Sequence, residues 1–206
     1  MSIPKNHYFN SRPEVPSRPH TVRLRSGEVD LQLMVDRGVF GARGIDLGTL
    51  TLLKEAPAPP AAGEVLDLGA GYGPIAIFIA KASPSARVWA VDVNERAVEL
   101  SRANAVSAGT PNVVASLPDE VPAELRFDAI YSNPPVRVGK HALREMLVRW
   151  LQRLAPGGRA HLVIQRNLGS DSLVKWLREE GWIVGRIKAK KGYRVITVAG
   201  PKPPSG

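Results

Sequence analysis

The sequence predicts an α/β protein in which a largely parallel sheet carries helices on both faces behind an N-terminal hairpin. Three observations predict it. From residue 64 onward, short apolar runs alternate with stretches of helical periodicity, the signature of βαβ units. The first run, Val65-Leu66-Asp67-Leu68, meets the glycine loop Gly69-Ala70-Gly71-Tyr72-Gly73 and then Pro74. Glycine permits a sharp turn and a close ligand approach, and proline suits the first helical turn. The second run, Val88-Trp89-Ala90-Val91, ends in Asp92, 23 positions after Gly69, about where a doubly wound sheet sets a carboxylate on a ribose diol.

Taken in order, residues 1–19 carry prolines at 4, 13, 16 and 19 and are expected to run extended, with His7, Tyr8 and Phe9 as a packed anchor. Thr21 to Arg25 and Val29 to Leu33 alternate apolar and polar positions about Ser26-Gly27, a hairpin with one buried face. Gly38 to Gly44 reads as a loop, and Asp46-Leu47-Gly48-Thr49 leads into Leu50, Leu52 and Leu53 with no regular element predicted. Ala56 to Gly63 is an extended linker; it separates an N-terminal extension, residues 1–59, from a core of residues 60–200.

In that core, strands are expected at 64–68, 86–92, 112–116, 127–132, 160–164, 182–187 and 195–199. Helices fill the intervals. One opens at Pro74 and runs to Ala82; one follows the cap Asn94, with Val98, Ser101, Ala105 and Ala108 on a shared face. The next sets Leu143, Leu147, Trp150, Leu151 and Leu154 on one face and ends at Gly157-Gly158. The last is capped by Ser170, carries Leu173, Trp176 and Leu177, and closes at Gly181. Lys188, Lys190, Lys191 and Arg194 crowd a basic turn about Gly192-Tyr193, and residues 201–206 form a loose tail.

A chain of 206 residues supports one well-buried core and not two large domains. Hydrophobic content of 44% with 23% charged residues excludes wholesale disorder. The 28 Lys and Arg against 19 Asp and Glu give +9, which favours a polyanionic partner through counterion release or serves solubility. With no cysteine, disulfides, thiolate metal sites and thiol nucleophiles are excluded. No apolar run approaches the ~20 residues of a bilayer span, and the start lacks the apolar core of a secretory signal. A cytoplasmic chain with no membrane partner is expected.

His7-Tyr8-Phe9, Gly38-Val39-Phe40, Ile45-Asp46-Leu47-Gly48-Thr49, the Asp67 loop, Ala90 to Asn94, Ser132-Asn133-Pro134-Pro135 and Lys191 to Val195 together span nearly the whole chain. On these stretches the sequence resembles the class I S-adenosylmethionine-dependent methyltransferases. Within them it is most similar to the small-subunit ribosomal RNA guanine exocyclic-amine (N2) methyltransferases and their short single-domain relatives. The resemblance implies a Rossmann-like fold with a seven-stranded, mostly parallel sheet and an antiparallel final strand. It implies S-adenosyl-L-methionine as cofactor and RNA as partner, with no metal.

It also assigns roles. Asp67 organises the loop near the methionine amino group, Gly69, Gly71 and Gly73 supply the cradle, and Asp92 with Val93 meets the ribose. The Gly69, Gly71, Gly73 spacing departs from G-x-G-x-x-G, which favours this cofactor over a dinucleotide. Gly48 and Thr49 approach the methionine moiety. Ser116 or the Leu117 backbone stands where relatives contact the adenine amine, with Asp119 a weaker candidate. Asn133, Pro134 and Pro135 form the catalytic stretch, and Asn133 also borders the cofactor. An exocyclic amine is a poor nucleophile because its lone pair is delocalised, and the Asn133 oxygen with the Pro134 carbonyl can accept its two N–H bonds as it pyramidalises. The absence of cysteine closes covalent activation of a pyrimidine ring carbon.

Many adenine-directed and protein-directed relatives carry an aromatic residue where this chain has Val136. Phe40, Val136, Arg137, Lys140, Lys191 and Arg194 are the substrate-side candidates, with core packing the alternative for Phe40. Arg23 and Arg25 suit RNA contact or a plain solvated strand face. A glutamine-directed protein methyltransferase and a non-catalytic RNA-binding module on the same fold are the alternative functions.

Overall fold

The structure, a computed structural model, describes residues 15–27, 29–42, 44–135 and 138–200, and for Arg186 and Ile187 the backbone alone. His7, Tyr8, Phe9, Val136, Arg137 and the tail at 201–206 lie outside the described residues.

Strands β1 (His20–Ser26) and β2 (Val29–Val35) form the antiparallel hairpin, Ser26 opposite Val29 at the turn. Helix α1 (Leu47–Glu55) follows. Then come β3 (Ala62–Leu68), α2 (Pro74–Ala82), β4 (Ser85–Val91), α3 (Glu95–Ser107), β5 (Val113–Ser116) and β6 (Phe127–Ser132). The chain continues through α4 (Lys140–Leu151), β7 (Leu154–Gln165), α5 (Ser170–Glu179), β8 (Ile183–Lys190) and β9 (Tyr193–Ala199). Among the described residues the main sheet has seven strands in the order β5-β4-β3-β6-β7-β9-β8. Strands β3 to β7 are parallel, and β9 lies antiparallel between β7 and β8.

Alternate residues of each strand feed opposite faces, as a pleated strand requires. Val65 joins Leu52, Ile75, Ile79 and Val163 under α1 and α2. Its neighbour Leu66 joins Phe127, Leu147, Trp150, Leu162 and Leu177 under α4 and α5. A third cluster, with Leu24, Leu33, Val35, Tyr72, Ile77, Ala97 and Leu100, binds the hairpin to α2 and α3.

One helix without a sequence prediction is added, and three local expectations are corrected. Residues 47–55 are helical because the Asp46 side chain accepts from the Gly48 and Thr49 N–H groups, a cap that offsets the poor propensity of Gly48 and Thr49. Helix α4 stops at Leu151, and Gly157-Gly158 lie inside β7, at a register shift opposite Phe127 and Ala129. A Cβ on Gly158 would fall 2.7 Å from the Phe127 carbonyl oxygen, so the bulge, not a helix end, requires the glycine. Gly169, at φ 101°, occupies the cap position of α5 and Ser170 is its first residue. Strand β8 runs through Lys190, so Lys188 and Lys190 are strand residues and the turn is Lys191-Gly192.

Gly73 and Gly27 separate two reasons for glycine. Both have positive φ, but a Cβ on Gly73 would lie 2.5 Å from Ser101 Oγ of α3, whereas one on Gly27 would meet nothing within 4 Å. Gly27→Ala is expected to cost about 1–2 kcal/mol from backbone strain alone, and Gly73→Ala distinctly more. Urea unfolding of both variants checks this; equal losses would contradict the packing of α2 against α3.

Candidate active site

Leu68 pairs with Val91 and with Ser132, and Val91 pairs with Ser116, so four parallel strands end at one level. Chain order reverses between β3 and β6, the switch point at which open α/β sheets leave a crevice. A cavity of about 530 Å³ opens there, lined by Phe40, Gly69, Asp92, Val93, Pro118, Asn133, Pro135 and one side of α4.

The glycine loop is tied to β4. The N–H groups of Gly69 and Ala70 both donate to the Val91 carbonyl, at 2.9 and 3.0 Å. Asp92 Oδ2 accepts from Gly71 N–H at 2.8 Å, and its Oδ1 accepts from Asn94 N–H at 3.0 Å. Asp92 thus joins two loops and, with about four acceptor positions on a carboxylate, keeps capacity toward the cavity. Burial raises its carboxyl above the usual range, while the N–H groups of Asn94, Gly71 and Val93 oppose the rise. Gly69 has φ 74°, and a Cβ there would have only Pro135 Cδ nearby, at 4.0 Å. The glycine leaves open a space that a side chain would take.

Asp67, Gly73 and Ser116 do not line the cavity. Gly73 serves the α2–α3 approach described above. Asp67 is fully buried beneath the loop, where its Oδ2 accepts from Ala76 N–H at 2.9 Å. Its Oδ1 has no partner among the described residues. Desolvation pushes this carboxyl up to about 8, against the Ala76 hydrogen bond and with a contribution from Asp92. Ser116 is buried at the end of β5, its Oγ also unpartnered among the described residues. Asp119 takes a 2.7 Å contact from Arg149 of α4.

Asn133 follows β6 and borders both the main cavity and a small hollow shared with Phe40, Asp46, Thr49 and Gly71. Its Nδ2 donates to Asp46 Oδ2 at 2.8 Å and to Thr49 Oγ1 at 3.2 Å. A carboxylate only accepts, so the NH₂ side must face Asp46, and both amide hydrogens are engaged. No donor among the described residues reaches Oδ1. Asn133 therefore presents an acceptor.

On the substrate side, Phe40 is 63% exposed at the cavity mouth. Beside it lies an open depression with Val39, Ile45 and Leu47. Gln165 pairs with Tyr193, which puts the Lys191-Gly192 turn on the same sheet edge as the site. Lys191, at φ 48°, and Lys140, the first residue of α4, are exposed. The other bases are internally matched: Lys190 and Lys188 to Glu55 at 2.8 and 3.4 Å, Arg194 to Asp171, and both Arg23 and Arg25 to Asp30. Val136 and Arg137 are outside the described residues.

The sequence reading missed the α4 wall, Ala142, Glu145, Met146, Arg149 and Trp150, and the role of Asp46. The wall was discoverable, because a helix directly after a strand-end loop at a switch point must flank the crevice. Asp46 was not: its contact to Asn133 joins positions 87 residues apart.

A profile of the methyltransferase small domain matches residues 30–197. The chain belongs to that family. It is 34% identical over 193 residues to the uncharacterized protein YbxB of Bacillus subtilis (strain 168), covering 92% of this chain and 96% of that protein. It is 34% identical over 162 residues to the ribosomal RNA small subunit methyltransferase C of Pseudomonas aeruginosa (strain UCBPP-PA14). That match covers 76% of this chain and 47% of the relative. The solved T. thermophilus 16S rRNA N2 G1207 methyltransferase, in complex with AdoMet and guanosine, superposes with a TM-score of 0.74 at 26% identity, covering 91% of this chain and 52% of that one. The chain spans about half the length of these ribosomal RNA methyltransferases. Its fold is the Rossmann-like class I methyltransferase fold.

The buried carboxyl gives a pH test. Unfolded Asp67 ionises near 3.8 and folded Asp67 near 8, so between these values the unfolded state binds fewer protons and stability falls as pH rises. Asp67→Asn removes that share. The stability of the variant relative to wild type, from urea unfolding of the ligand-free proteins, should climb across this window and level off above it. A difference independent of pH would contradict the raised carboxyl.

Proposed function

We propose that this protein methylates an exocyclic amine of an RNA base, guanine N2 in small-subunit ribosomal RNA. The supporting observation is the orientation of Asn133: with both amide hydrogens engaged by Asp46 and Thr49, its oxygen is offered to a group that carries N–H.

The cofactor is S-adenosyl-L-methionine, and the residues present fit it. The space left open at Gly69, the cavity-facing capacity of Asp92 and the hydrocarbon wall of Val93, Met146 and Trp150 suit its polar and adenosyl parts. Gly69 and Gly71 offer backbone, Asp92 takes the ribose hydroxyls, and Pro118 borders the base. Asp67 acts from below, holding the first turn of α2 through Ala76. Thr49 lies near Gly71 and approaches the methionine end, with Gly48 behind it. When bound, the cofactor supplies an electrophilic sulfonium methyl group.

The protein's own task is to make the amine nucleophilic. Asn133 Oδ1 and the Pro134 carbonyl accept its two N–H bonds, which favours the pyramidal nitrogen of the transition state over the planar ground state. Pro134 and Pro135 restrict the backbone and hold these acceptors in place beforehand. As the methyl carbon passed to the nitrogen, its bond to the sulfonium sulfur would break and S-adenosylhomocysteine would leave; the resulting ammonium would shed one proton to solvent, so no general base is needed.

RNA rather than protein is favoured by the charge of +9 and by exposed Lys140 and Lys191 at the site edge; Arg137 follows the catalytic stretch in sequence. Arg194 is a weaker contributor, since Asp171 already pairs with it. Phe40 offers the aromatic face that this chain lacks at Val136, a surface on which a base can stack. We place residues 60–200 as the methyltransferase domain, residues 1–59 as an N-terminal extension, 201–206 as a tail, and the protein in the cytoplasm with its rRNA substrate.

Asn133→Ala should bind S-adenosylmethionine normally by calorimetry yet transfer methyl groups ~10² to 10³ more slowly in single turnover. Asn133→Asp should not restore the rate, because it sets a second carboxylate against Asp46 Oδ2, now 2.8 Å from Nδ2. An alanine variant as fast as wild type would reduce Asn133 to a loop residue.

The salt response of RNA binding separates free from matched bases. Lys140→Ala and Lys191→Ala should each lower the log–log salt slope by about 0.7. Lys190→Ala, removing a cation already paired with Glu55, should change it less. Equal effects of all three would mean that the internal ion pair does not persist beside RNA.

A further inference from the structure

We propose that Asp46 and Thr49, from the N-terminal extension, are positioning residues for the reaction: they lock the Asn133 amide so that its oxygen, and not its NH₂, meets the target amine. The inference rests on the methyl-transfer reading above and deepens it.

An asparagine amide rotated by half a turn exchanges oxygen and nitrogen in nearly the same volume. Rotated so, Asn133 would point two N–H bonds at an amine that also brings N–H bonds. Catalysis of this kind therefore needs a device that selects one rotamer. Asp46 Oδ2 is that device. One oxygen accepts three hydrogen bonds, from Gly48 N–H at 2.7 Å, Thr49 N–H at 3.2 Å and Asn133 Nδ2 at 2.8 Å. The same atom caps α1 and holds the amide. Rotation would set the Asn133 oxygen against this carboxylate oxygen, which has no hydrogen to give. Thr49 Oγ1 takes the second amide hydrogen at 3.2 Å.

A separate observation bears on the same contact. A Cβ built on Gly48 would lie 2.7 Å from Asp46 Oδ2, 3.2 Å from Asn133 Nδ2 and 3.0 Å from Tyr193 Cε1. Gly48 is buried and its φ is not in the left-handed region, so backbone strain does not account for it. Position 48 is small because the Asp46–Asn133 contact passes over it. Helix α1 is anchored behind the contact: Leu52 is fully buried in the core under α1 and α2, and Glu55 at its far end pairs with Lys190 and Lys188. The extension is therefore part of the catalytic apparatus, reaching Asn133 across 87 positions of sequence.

The test compares Asp46→Ser with Asp46→Asn in the full chain. Serine is as good an N-cap as aspartate, so α1 stays capped, but its oxygen stands one bond closer to the backbone and does not reach Asn133. Asparagine can keep an acceptor oxygen at the Oδ2 position. Asp46→Ser should bind S-adenosylmethionine as wild type does, and its single-turnover rate on RNA should fall on the order of 10²-fold, the scale of an ångström of misplacement. Asp46→Asn should recover most of that loss. Gly48→Ala, which wedges the contact open from its other side, should resemble Asp46→Ser.

A second readout does not depend on activity. In ¹⁵N spectra, the Asn133 side-chain NH₂ signals, assigned by their loss in Asn133→Ala, should exchange slowly with water in wild type and Asp46→Asn, and quickly in Asp46→Ser. Wild-type rate and unchanged exchange in Asp46→Ser overturn the proposal. So does an equal loss in the serine and asparagine variants, which would point to the charge rather than the hydrogen bond. If wild-type protein transfers no methyl group to RNA while exchange still responds to Asp46→Ser, the locked amide stands and the substrate reading falls.

Discussion

The parallel register of β3, β4, β5 and β6 is the constraint on which the rest depends. Because Leu68, Val91, Ser116 and Ser132 stand side by side, the backbone that follows each strand has no further sheet to join and must find hydrogen bonds elsewhere. The loops find them in one another: Gly69 and Ala70 on the Val91 carbonyl, Gly71 and Asn94 on Asp92, and Ser132 Oγ on the Leu68 carbonyl. A rigid rim results. The sheet's opposite faces are sealed by two apolar cores, and the crevice opens at the switch between β3 and β6. Asp92 illustrates how one carboxylate can join two loops and still line the crevice.

Much of this was legible in the sequence because it is local. Period-two and period-3.6 patterns placed the strands and most helices, and glycines at 69, 71 and 73 announced a sharp loop; all three have positive φ. The errors are instructive. Gly157-Gly158 had the composition of a helix stop, but Gly158 answers to a carbonyl of β6 31 positions away, and Gly157 to a positive φ of 82°. Gly73 sits in the expected cradle and instead faces Ser101. Helix α1 was hidden because Gly48 and Thr49 depress helix propensity, and the cap that offsets them looks like any other aspartate. Long-range contacts leave no periodic trace, so the part of the site built between Asp46 and Asn133 required the fold.

Charge shows the same division. A net +9 is visible in composition, but its effective part is not. Asp30 holds two arginines, Glu55 two lysines and Asp171 one arginine. Exposed ion pairs of this sort contribute little to stability. Their larger effect is to remove cations from the pool available to phosphates, leaving Lys140 and Lys191 prominent along the rim. No helix among the described residues is long and apolar enough to cross a membrane.

In the proposed reaction an asparagine that offers only its acceptor directs methyl transfer to a base amine in RNA. Its most direct test supplies the purified protein with S-adenosylmethionine carrying a deuterated methyl group, together with unmethylated small ribosomal subunits and free small-subunit RNA. The RNA and protein fractions are then hydrolysed separately for mass analysis. Labelled N2-methylguanosine in the RNA is the predicted result. Label on a ribose oxygen, on a ring carbon or on glutamine in the protein fraction would contradict it.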